Sequence, residues 1–227
     1  MIAASRETDR LLSVYHNRHW DGCILEAMER IRVRGEIGEV FRVEAHMGGF
    51  RHPGETWRAS RSISGGVHYD WGVHLLEYSL QVIGSEVEEV TAFSVSGNWE
   101  TRWGPDDSNE DELTAIVRFA NGVFLDLRLT TLDAAPDKGQ VVFTATGGKY
   151  FMDQRSFEIH RVDGNEQRIV KGQNRVGEQE TYYRNVAGAM TGQAELVITP
   201  EWSRRTVEVL DLASRSAREG RALRVKA

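Results

Sequence analysis

The sequence predicts an α+β fold, with an open antiparallel or mixed β-sheet that carries helices on one face. Residues 87–171 contain a run of short segments in which apolar and polar residues alternate, as they do in half-buried strands. Turn-forming residues separate these segments, and amphipathic helical patterns lie before and after them. Strands and helices do not alternate along the chain, so the βαβ units of a doubly wound parallel sheet are not expected.

The N-terminal part combines helical and extended patterns. Residues 3–12 are expected to complete a helix, and the segment 11–17 (LLSVYHN) is expected to form a short strand. Residues 21–34 then place apolar side chains three and four positions apart, which indicates an amphipathic helix. Asp21 fits the N-cap of this helix, and Gly35 fits its C-terminal stop.

A strand and a long loop follow. Residues 39–47 (EVFRVEAHM) alternate polar residues with Phe41, Val43 and Ala45, so these three side chains are expected on one face of a strand. The next stretch, residues 48–66, is rich in glycine and polar residues and is expected to be a loop. Long loops in compact domains are often functional.

Three further helices are expected. The first covers residues 68–83 and ends at Gly84, a residue type that commonly closes helices. The second covers residues 178–191. The third covers residues 201–218 and follows Pro200, because proline suits the first turn of a helix.

With its helices on one side, the sheet is expected to leave the other face open. Asn121-Gly122 is a strong hairpin signal between two of its strands. Alternate positions such as Ile116, Phe124 and Phe143 are expected to make the open face apolar. A face of this kind usually marks an association surface.

Composition and charge exclude several classes of protein. The 227 residues fit one large domain or two small ones, with a sizeable core. A net charge of −6 and a pI near 5.7 argue against a broad nucleic-acid surface. No run approaches the roughly 18 apolar residues that span a membrane, and the start has no signal-peptide core. The single cysteine, Cys23, rules out an internal disulfide and favours a cytoplasmic protein.

Several nucleotide and catalytic motifs are missing from the sequence. No G-x-G-x-x-G segment opens a helix after a strand, so the chain contains no recognisable dinucleotide-phosphate loop. There is also no Walker A motif, no G-x-S-x-G elbow and no C-x-x-C pair.

The most informative stretch is residues 64–77, SGGVHYDWGVHLLE. In a helix, Asp70 and His74 are four residues apart and share one face. An aspartate beside a histidine can hold its tautomer and raise its basicity, which suits proton transfer near neutral pH. Spacing alone favours a simpler interpretation, in which the aspartate caps the first turn and the histidine packs beside it. A metal site is a third interpretation, although the other histidines show no recognised ligand spacing.

Six motifs occur in a fixed order along the chain. They are HNRHWD at 16–21, GEIGEV at 35–40, WR at 57–58 with SGG at 64–66, YDWGVHLLE at 69–77, YYRN at 182–185 with TPE at 199–201, and SAREGR at 216–221. The first four resemble the N-R-R-[FW]-D, G-x-[IL]-G-x-[VI], W-R…GGG and D-x-G-x-H-x-[IL]-D motifs of one family. The last two resemble the C-terminal end of the sequences in that family. That family is the glucose–fructose oxidoreductase/inositol dehydrogenase (Gfo/Idh/MocA) family of NAD(P)-dependent oxidoreductases. The resemblance is to its C-terminal domain and runs from about residue 12 to 224.

The resemblance implies a reaction and a set of site residues. Members oxidise a secondary alcohol of a sugar or polyol, or reduce the ketone, by exchanging a hydride with nicotinamide. His74 would be the acid/base on the reacting hydroxyl, and Asp70 would orient it or bind a neighbouring hydroxyl. The substrate-binding candidates are Asn17, Arg18, Trp57, Arg58 and Tyr182. Salt bridges are the alternative for the two arginines, and packing is the alternative for the tryptophan and the tyrosine.

The sequence also departs from the family pattern. In the family, a Rossmann domain whose end carries a Glu-Lys-Pro motif precedes this region, and neither is recognisable here. Residues 1–227 are therefore expected to be a single C-terminal substrate-binding and oligomerisation domain, with 1–12 the remnant of an interdomain helix. Two positions differ within the motifs themselves, because His19 replaces the second arginine and Glu77 replaces the last aspartate.

Cofactor and partners follow from the same resemblance. The intact enzyme is expected to use NAD or NADP, with the main cofactor site in the missing domain and no cofactor bound tightly to this chain. A homodimer or tetramer through the β-sheet is expected, because family members pair through this sheet. The alternative is a non-catalytic, stand-alone sugar-binding or dimerisation module of the same fold.

Overall fold

The computed structural model describes residues 1–225, and its centre is a nine-stranded mixed β-sheet. The strands are β1 (Val40–Gly48), β2 (Val87–Val95), β3 (Glu112–Phe119), β4 (Phe124–Thr130), β5 (Val141–Ala145), β6 (Gly148–Met152), β7 (Ser156–Asp163), β8 (Glu166–Gln173) and β9 (Leu223–Arg224). Their order across the sheet is β8-β7-β6-β5-β1-β4-β3-β2-β9. β1 and β4 run parallel, and the other neighbouring pairs are antiparallel. The predicted α+β class with an open mixed sheet is confirmed.

Helices and short turns flank this sheet. The α-helices are α1 (Ile2–Thr8), α2 (Gly22–Met28), α3 (Arg61–Ser64), α4 (His68–Ile83), α5 (Gly104–Asp107), α6 (Thr181–Met190) and α7 (Pro200–Glu219). Two 3₁₀ turns cover Asn17–Trp20 and Trp57–Ala59, and a π-helical turn, Glu29–Val33, continues α2. Over residues 1–225, none of the helices combines the length and the apolar character needed to cross a bilayer.

The core lies between the sheet and three helices. α4 packs on β1, β4 and β5, α7 packs on β2, and α2 packs on β6. On β4, Leu125, Leu127 and Leu129 all point inward and are at most 2% exposed, as the alternation of the sequence predicts. Full burial of a leucine side chain stabilises the fold by roughly 1.5–3 kcal/mol. This leucine row therefore anchors the centre of the sheet.

Helix α4 carries most of the residues that the sequence singles out. Its apolar stripe, Leu75, Tyr78 and Val82, is at most 1% exposed and faces the core. The helix ends where the sequence predicts, because Gly84 adopts a left-handed conformation with φ 59°. Leu76 and Leu80 are buried as well, so most of the circumference of α4 is covered after its first turn.

One local prediction near the N-terminus is wrong, and a second holds for position but not for hydrogen bonding. Residues 11–17 join no strand, and the Ser13 hydroxyl instead donates to the carbonyl of Ile198, 3.0 Å away. Asp21 occupies the N-cap position of α2, but its carboxylate does not bond the first turn. That carboxylate accepts hydrogen bonds from Tyr78 and Gln179 instead. Hydrogen bonds to an ionised carboxylate are strong, and these two replace the capping bond.

Two predictions about side-chain direction are also wrong. Phe41 is 46% exposed, because the pairing of β1 with β5 shifts register between Val40 and Arg42 and the extra residue leaves the alternation. Phe143 faces the core and is fully buried, since it pairs with the inward residue Val43.

The open face of the sheet is partly apolar. Phe93 on β2 is 67% exposed and pairs with Thr114, on the side opposite the core. Phe124 on β4 is 37% exposed and pairs with Arg42 on the same side. Charged residues therefore interrupt the apolar positions on this face.

Candidate active site

The long loop and the first turn of α4 bring two predicted site residues together. Arg58 Nε lies 3.1 Å from Asp70 Oδ2, and both side chains are about half exposed. The Arg58 guanidinium also lies 4.6 Å from the ring centroid of Trp57, within cation–π range. The adjacent candidates Trp57 and Arg58 thus meet Asp70, 12 positions further along the chain.

A second arginine approaches the same helix from the 3₁₀ turn Asn17–Trp20. The Arg18 guanidinium lies 4.6 Å from the ring centroid of Trp71, and its Nη1 bonds Asp21 Oδ2 at 2.9 Å. The Trp71 ring in turn meets His74 edge-on, with centroids 5.6 Å apart. The ring of Trp71 therefore contacts both the Arg18 guanidinium and the imidazole.

His74 has a neutral imidazole in this setting. Burial, and to a smaller extent the positive charge of Arg18, lower the pKa of His74 to about 4. Its Nδ1 is buried and has no hydrogen-bond partner within residues 1–225. A neutral imidazole with a free ring nitrogen can accept a proton from a hydroxyl group.

One part of the sequence interpretation needs correction. Asp70 was expected to hold the tautomer of His74 and to raise its basicity. Its carboxylate instead bonds Arg58, and its charge raises the pKa of His74 by less than burial and Arg18 lower it. The physical reason is that a half-exposed carboxylate already paired with a guanidinium exerts a weak field on a more buried ring.

A buried carboxylate lies one turn further along α4. Glu77 is fully buried and contacts His19 Nδ1 at 2.5 Å and Trp202 Nε1 at 2.8 Å. His16 Nδ1 lies 3.3 Å from Glu77 Oε2, the oxygen that also accepts from Trp202. Burial alone raises the pKa of Glu77, but His16, His19 and Trp202 hold it at about 2, so the carboxylate is ionised.

The two departures from the family motifs therefore meet in space. His19 carries the shorter base where the motif has arginine, and Glu77 carries the longer acid where it has aspartate. The sequence showed each exchange but not that the two side chains are partners. The shorter base and the longer acid are in contact between the turn and α4.

A second carboxylate ties the 3₁₀ turn to its surroundings. Asp21 is 5% exposed and accepts hydrogen bonds from Tyr78 at 2.5 Å, Gln179 at 2.6 Å and Arg18 at 2.9 Å. These bonds connect the turn to α4 and to the segment before α6. The sequence indicates only the N-cap position of this residue. Its hydrogen-bond partners Tyr78 and Gln179 are 57 and 158 positions away, so a local pattern does not reveal them.

The remaining substrate-binding candidates differ in position. Asn17 opens the same turn as Arg18 and is partly buried. Tyr182 on α6 is 8% exposed, packs edge-on with Trp20, and directs its hydroxyl to Ser13 at 3.2 Å. Asn17 therefore stays near the candidate site, and the contacts of Tyr182 fit the packing role.

A family model for the GFO/IDH/MocA C-terminal domain matches residues 25–160 of the chain. The uncharacterized oxidoreductase YdgJ of Escherichia coli is 25% identical over 240 residues, which cover 95% of this chain and 66% of YdgJ. The scyllo-inositol 2-dehydrogenase (NADP(+)) IolW of Bacillus subtilis is 22% identical over 259 residues, 97% of this chain and 66% of IolW. The chain thus spans about two-thirds of the length of these two relatives.

Solved structures share the fold. The putative oxidoreductase yvaA of Bacillus subtilis superposes with a TM-score of 0.84 at 18% identity, covering 99% of this chain and 69% of that one. An aldose-aldose oxidoreductase of Caulobacter crescentus, complexed with glycerol, gives a TM-score of 0.79 at 17% identity, covering 99% and 67%. At these identities the likeness concerns the fold alone. The family model, however, spans more than half of the sequence, and the chain therefore belongs to the GFO/IDH/MocA family through its C-terminal domain.

Proposed function

We propose that this chain is the substrate-side domain of an NAD(P)-dependent oxidoreductase that acts on a secondary alcohol of a sugar or polyol. The observation that carries the proposal is His74, a mostly buried, neutral imidazole on the helix that also carries Asp70. The Arg58–Asp70 pair and Arg18 lie along the same helix, and such groups suit the several hydroxyls of a sugar. The names of relatives such as the inositol dehydrogenase IolW support this substrate class.

The family implies a nicotinamide cofactor, which takes up the hydride when it is bound. The neutral imidazole of His74 fits the proton-handling side of such a reaction. The sequence has no glycine-rich phosphate loop, so these residues do not fit the dinucleotide itself. We therefore assign the nucleotide site to a part of the protein outside this sequence.

The residues of this chain bind the substrate, transfer the proton and exclude water. Arg58 and Asp70 hold each other at the open side of α4 and bind neighbouring hydroxyls of the substrate. His74 accepts the proton of the reacting hydroxyl. Trp71 packs edge-on against the imidazole and excludes water from it, and this desolvation together with the positive charge of Arg18 keeps the base neutral.

The first experiment is a calorimetric titration of the 227-residue chain with NAD⁺, with NADH and with a polyol panel. Absence of cofactor binding supports a nucleotide site elsewhere. Micromolar cofactor binding to this chain would contradict that assignment.

The second experiment tests the proton transfer in the full-length protein. His74→Gln should lower kcat by at least about 100-fold with a small change in KM, because the base acts in the transition state. His160→Gln is the matched control, since that histidine lies on β7 and pairs with Glu158 at 3.0 Å. Full activity of the His74 variant would overturn the role of this residue.

We also propose that two copies pair through the open face of the sheet. The support is the exposed Phe93 together with Phe124 on that face. Phe93→Asp should convert dimers or tetramers to monomers in light scattering. Val176→Asp is the control, because this 87% exposed side chain lies outside the sheet. A wild-type chain that stays monomeric at high concentration would contradict the pairing.

The non-catalytic alternative, a stand-alone sugar-binding or dimerisation module, makes a different prediction. The chain alone would then bind a polyol, and the binding would be independent of His74. Equal polyol affinity of the wild type and His74→Gln, without turnover in any longer form, would favour that alternative.

A further inference from the structure

A second buried histidine lies on another side of α4. His68 is 2% exposed and is six residues before His74, which places the two rings about 120° apart around the helix axis. Its Nδ1 is 2.6 Å from Glu110 Oε1, and its Nε2 is 2.7 Å from Ser214 Oγ on α7. The proposed oxidoreductase reaction uses none of these three side chains.

The contacts fix the role of each group. The Glu110 carboxylate is 7% exposed and can only accept, so His68 carries its proton on Nδ1. Nε2 is then the acceptor, and the Ser214 hydroxyl donates to it. Burial alone would raise the pKa of Glu110, but the hydrogen bond from His68 keeps it below its ordinary value, and the acid is ionised. In such a chain of hydrogen bonds the carboxylate orients the base, and the base activates the hydroxyl as a nucleophile.

The same three residues border a cavity of about 80 Å³. This volume equals that of two or three water molecules, at about 30 Å³ each, and leaves room for an acetyl-sized group. Arg61, Arg218 and Ser94 also line the cavity, and Arg61 Nη2 lies 3.6 Å from Glu110 Oε2. The second arginine, Arg218, adds positive charge, which favours the oxyanion that develops when a hydroxyl attacks a carbonyl.

Contacts around the base keep its geometry fixed. The ring of Tyr69 packs on His68 with centroids 4.3 Å apart. Gly66 lies against the other side, where a Cβ would come within 2.5 Å of His68 Cε1 and 2.8 Å of Glu110 Oε1. The imidazole therefore cannot rotate away from Ser214, and the partly exposed serine is the group that meets the cavity.

We propose that Ser214 is the nucleophile of a second site, which hydrolyses esters of short carboxylic acids. Ser214 Oγ attacks the ester carbonyl and its proton passes to His68 Nε2. The C–O bond to the alcohol breaks, the alcohol leaves with that proton, and an acyl-serine remains. A water molecule gives a proton to His68 and attacks the acyl-serine, the acyl–Oγ bond breaks, and His68 returns that proton to Ser214 Oγ, so that the carboxylic acid and the free serine are released. The sequence of steps consumes one ester and one water and needs no oxidant or reductant.

The test uses methanesulfonyl fluoride, a reagent small enough for the cavity, on the 227-residue chain at pH 7.5. The expected product is a single sulfonyl adduct on the peptide that contains Ser214, located by mass spectrometry. Ser214→Ala should carry no adduct, and His68→Gln should react at least about 100-fold more slowly, because the base is lost. Ser5→Ala is the matched control and should react at the wild-type rate, since this serine on α1 donates to the carbonyl of Arg10 and is not among the residues that line the cavity.

A second measurement follows the hydrolysis of p-nitrophenyl acetate, which should be lost in Ser214→Ala. If His68→Gln does not fold, as judged by circular dichroism, Glu110→Gln replaces it and should also slow the reaction. A folded wild-type chain without an adduct on Ser214 would overturn the proposal, as would equal rates for the wild type and the base variant. The outcome is independent of the oxidoreductase proposal, since neither His74 nor a nicotinamide takes part.

Discussion

Replacing Glu77 by glutamine should destabilise the protein more than the loss of an ordinary ion pair. The side chain is fully buried and contacts His19 at 2.5 Å and Trp202 at 2.8 Å. The amide keeps the shape but loses the charge, and it directs N–H donors at groups that themselves donate. Loss of one member of a buried charged pair costs about 3–5 kcal/mol.

The pKa of Glu77 gives a second measure of the same quantity. A folded-state pKa of about 2, against an ordinary value of 4.5, corresponds to about 3 kcal/mol of stabilisation near neutral pH. Since the folded pKa is depressed, this stabilisation is present above about pH 4.5 and is lost as the pH falls through about 2. Typical domains have a total stability of about 5–15 kcal/mol, so the variant should be folded but fragile.

Urea unfolding followed by far-UV circular dichroism measures the difference at pH 7 and at pH 3. We expect a loss of about 3 kcal/mol at pH 7 and a smaller difference at pH 3. Glu180→Gln is the control, because it removes an exposed pair with Arg184 and should cost less than about 1 kcal/mol. A loss below about 1 kcal/mol for Glu77→Gln, or an equal loss at both pH values, would refute the reasoning.

The pairing of His19 with Glu77 can be tested with the reverse exchange. His19→Arg and Glu77→Asp should each destabilise the chain, because one makes the pair too long and the other too short. The double variant restores the lengths of the family motif and should recover stability, with a coupling free energy of about 0.5–3 kcal/mol. Additive losses in the double-mutant cycle would show that the two exchanges are independent.

Two further predictions concern α4. Nuclear magnetic resonance titration of His74 should give a pKa of about 4, and Arg18→Ala should raise that pKa by removing a nearby positive charge; a wild-type value near 6.5 would contradict the burial argument. Gly66→Ala should lower stability by about 1–3 kcal/mol in thermal melts, because φ is +137° and the new Cβ meets His68 at 2.5 Å. Gly97→Ala, with φ +91° and nothing within 4 Å, carries only the backbone strain and should cost less, whereas equal losses would exclude the contact with His68 as the cause.

The sequence predicted the elements that depend on local patterns. The leucine alternation of β4 and the apolar stripe of α4 follow from side-chain periodicity, which is a local property. The end of α4 at Gly84 follows from the conformational freedom of a single residue. Asp70 and His74 were found in the same way, because four residues make one helical turn.

Predictions failed where the partner of a residue lies far along the chain. Asp21 has the sequence signature of a helix cap, but Tyr78 and Gln179 provide its hydrogen bonds. Phe41 continues the alternation of β1, but a register shift against β5 turns it to the surface. Neither effect is visible in a window of neighbouring residues.

The sequence by itself thus determined the fold class, the family resemblance and the residue types available for chemistry. Only the tertiary structure decided which charges meet: Arg58 with Asp70, His19 with Glu77, and His68 with both Glu110 and Ser214. The physical reason is that periodicity fixes which face a residue occupies. Charge pairing and pKa depend on the distance and burial that packing alone sets.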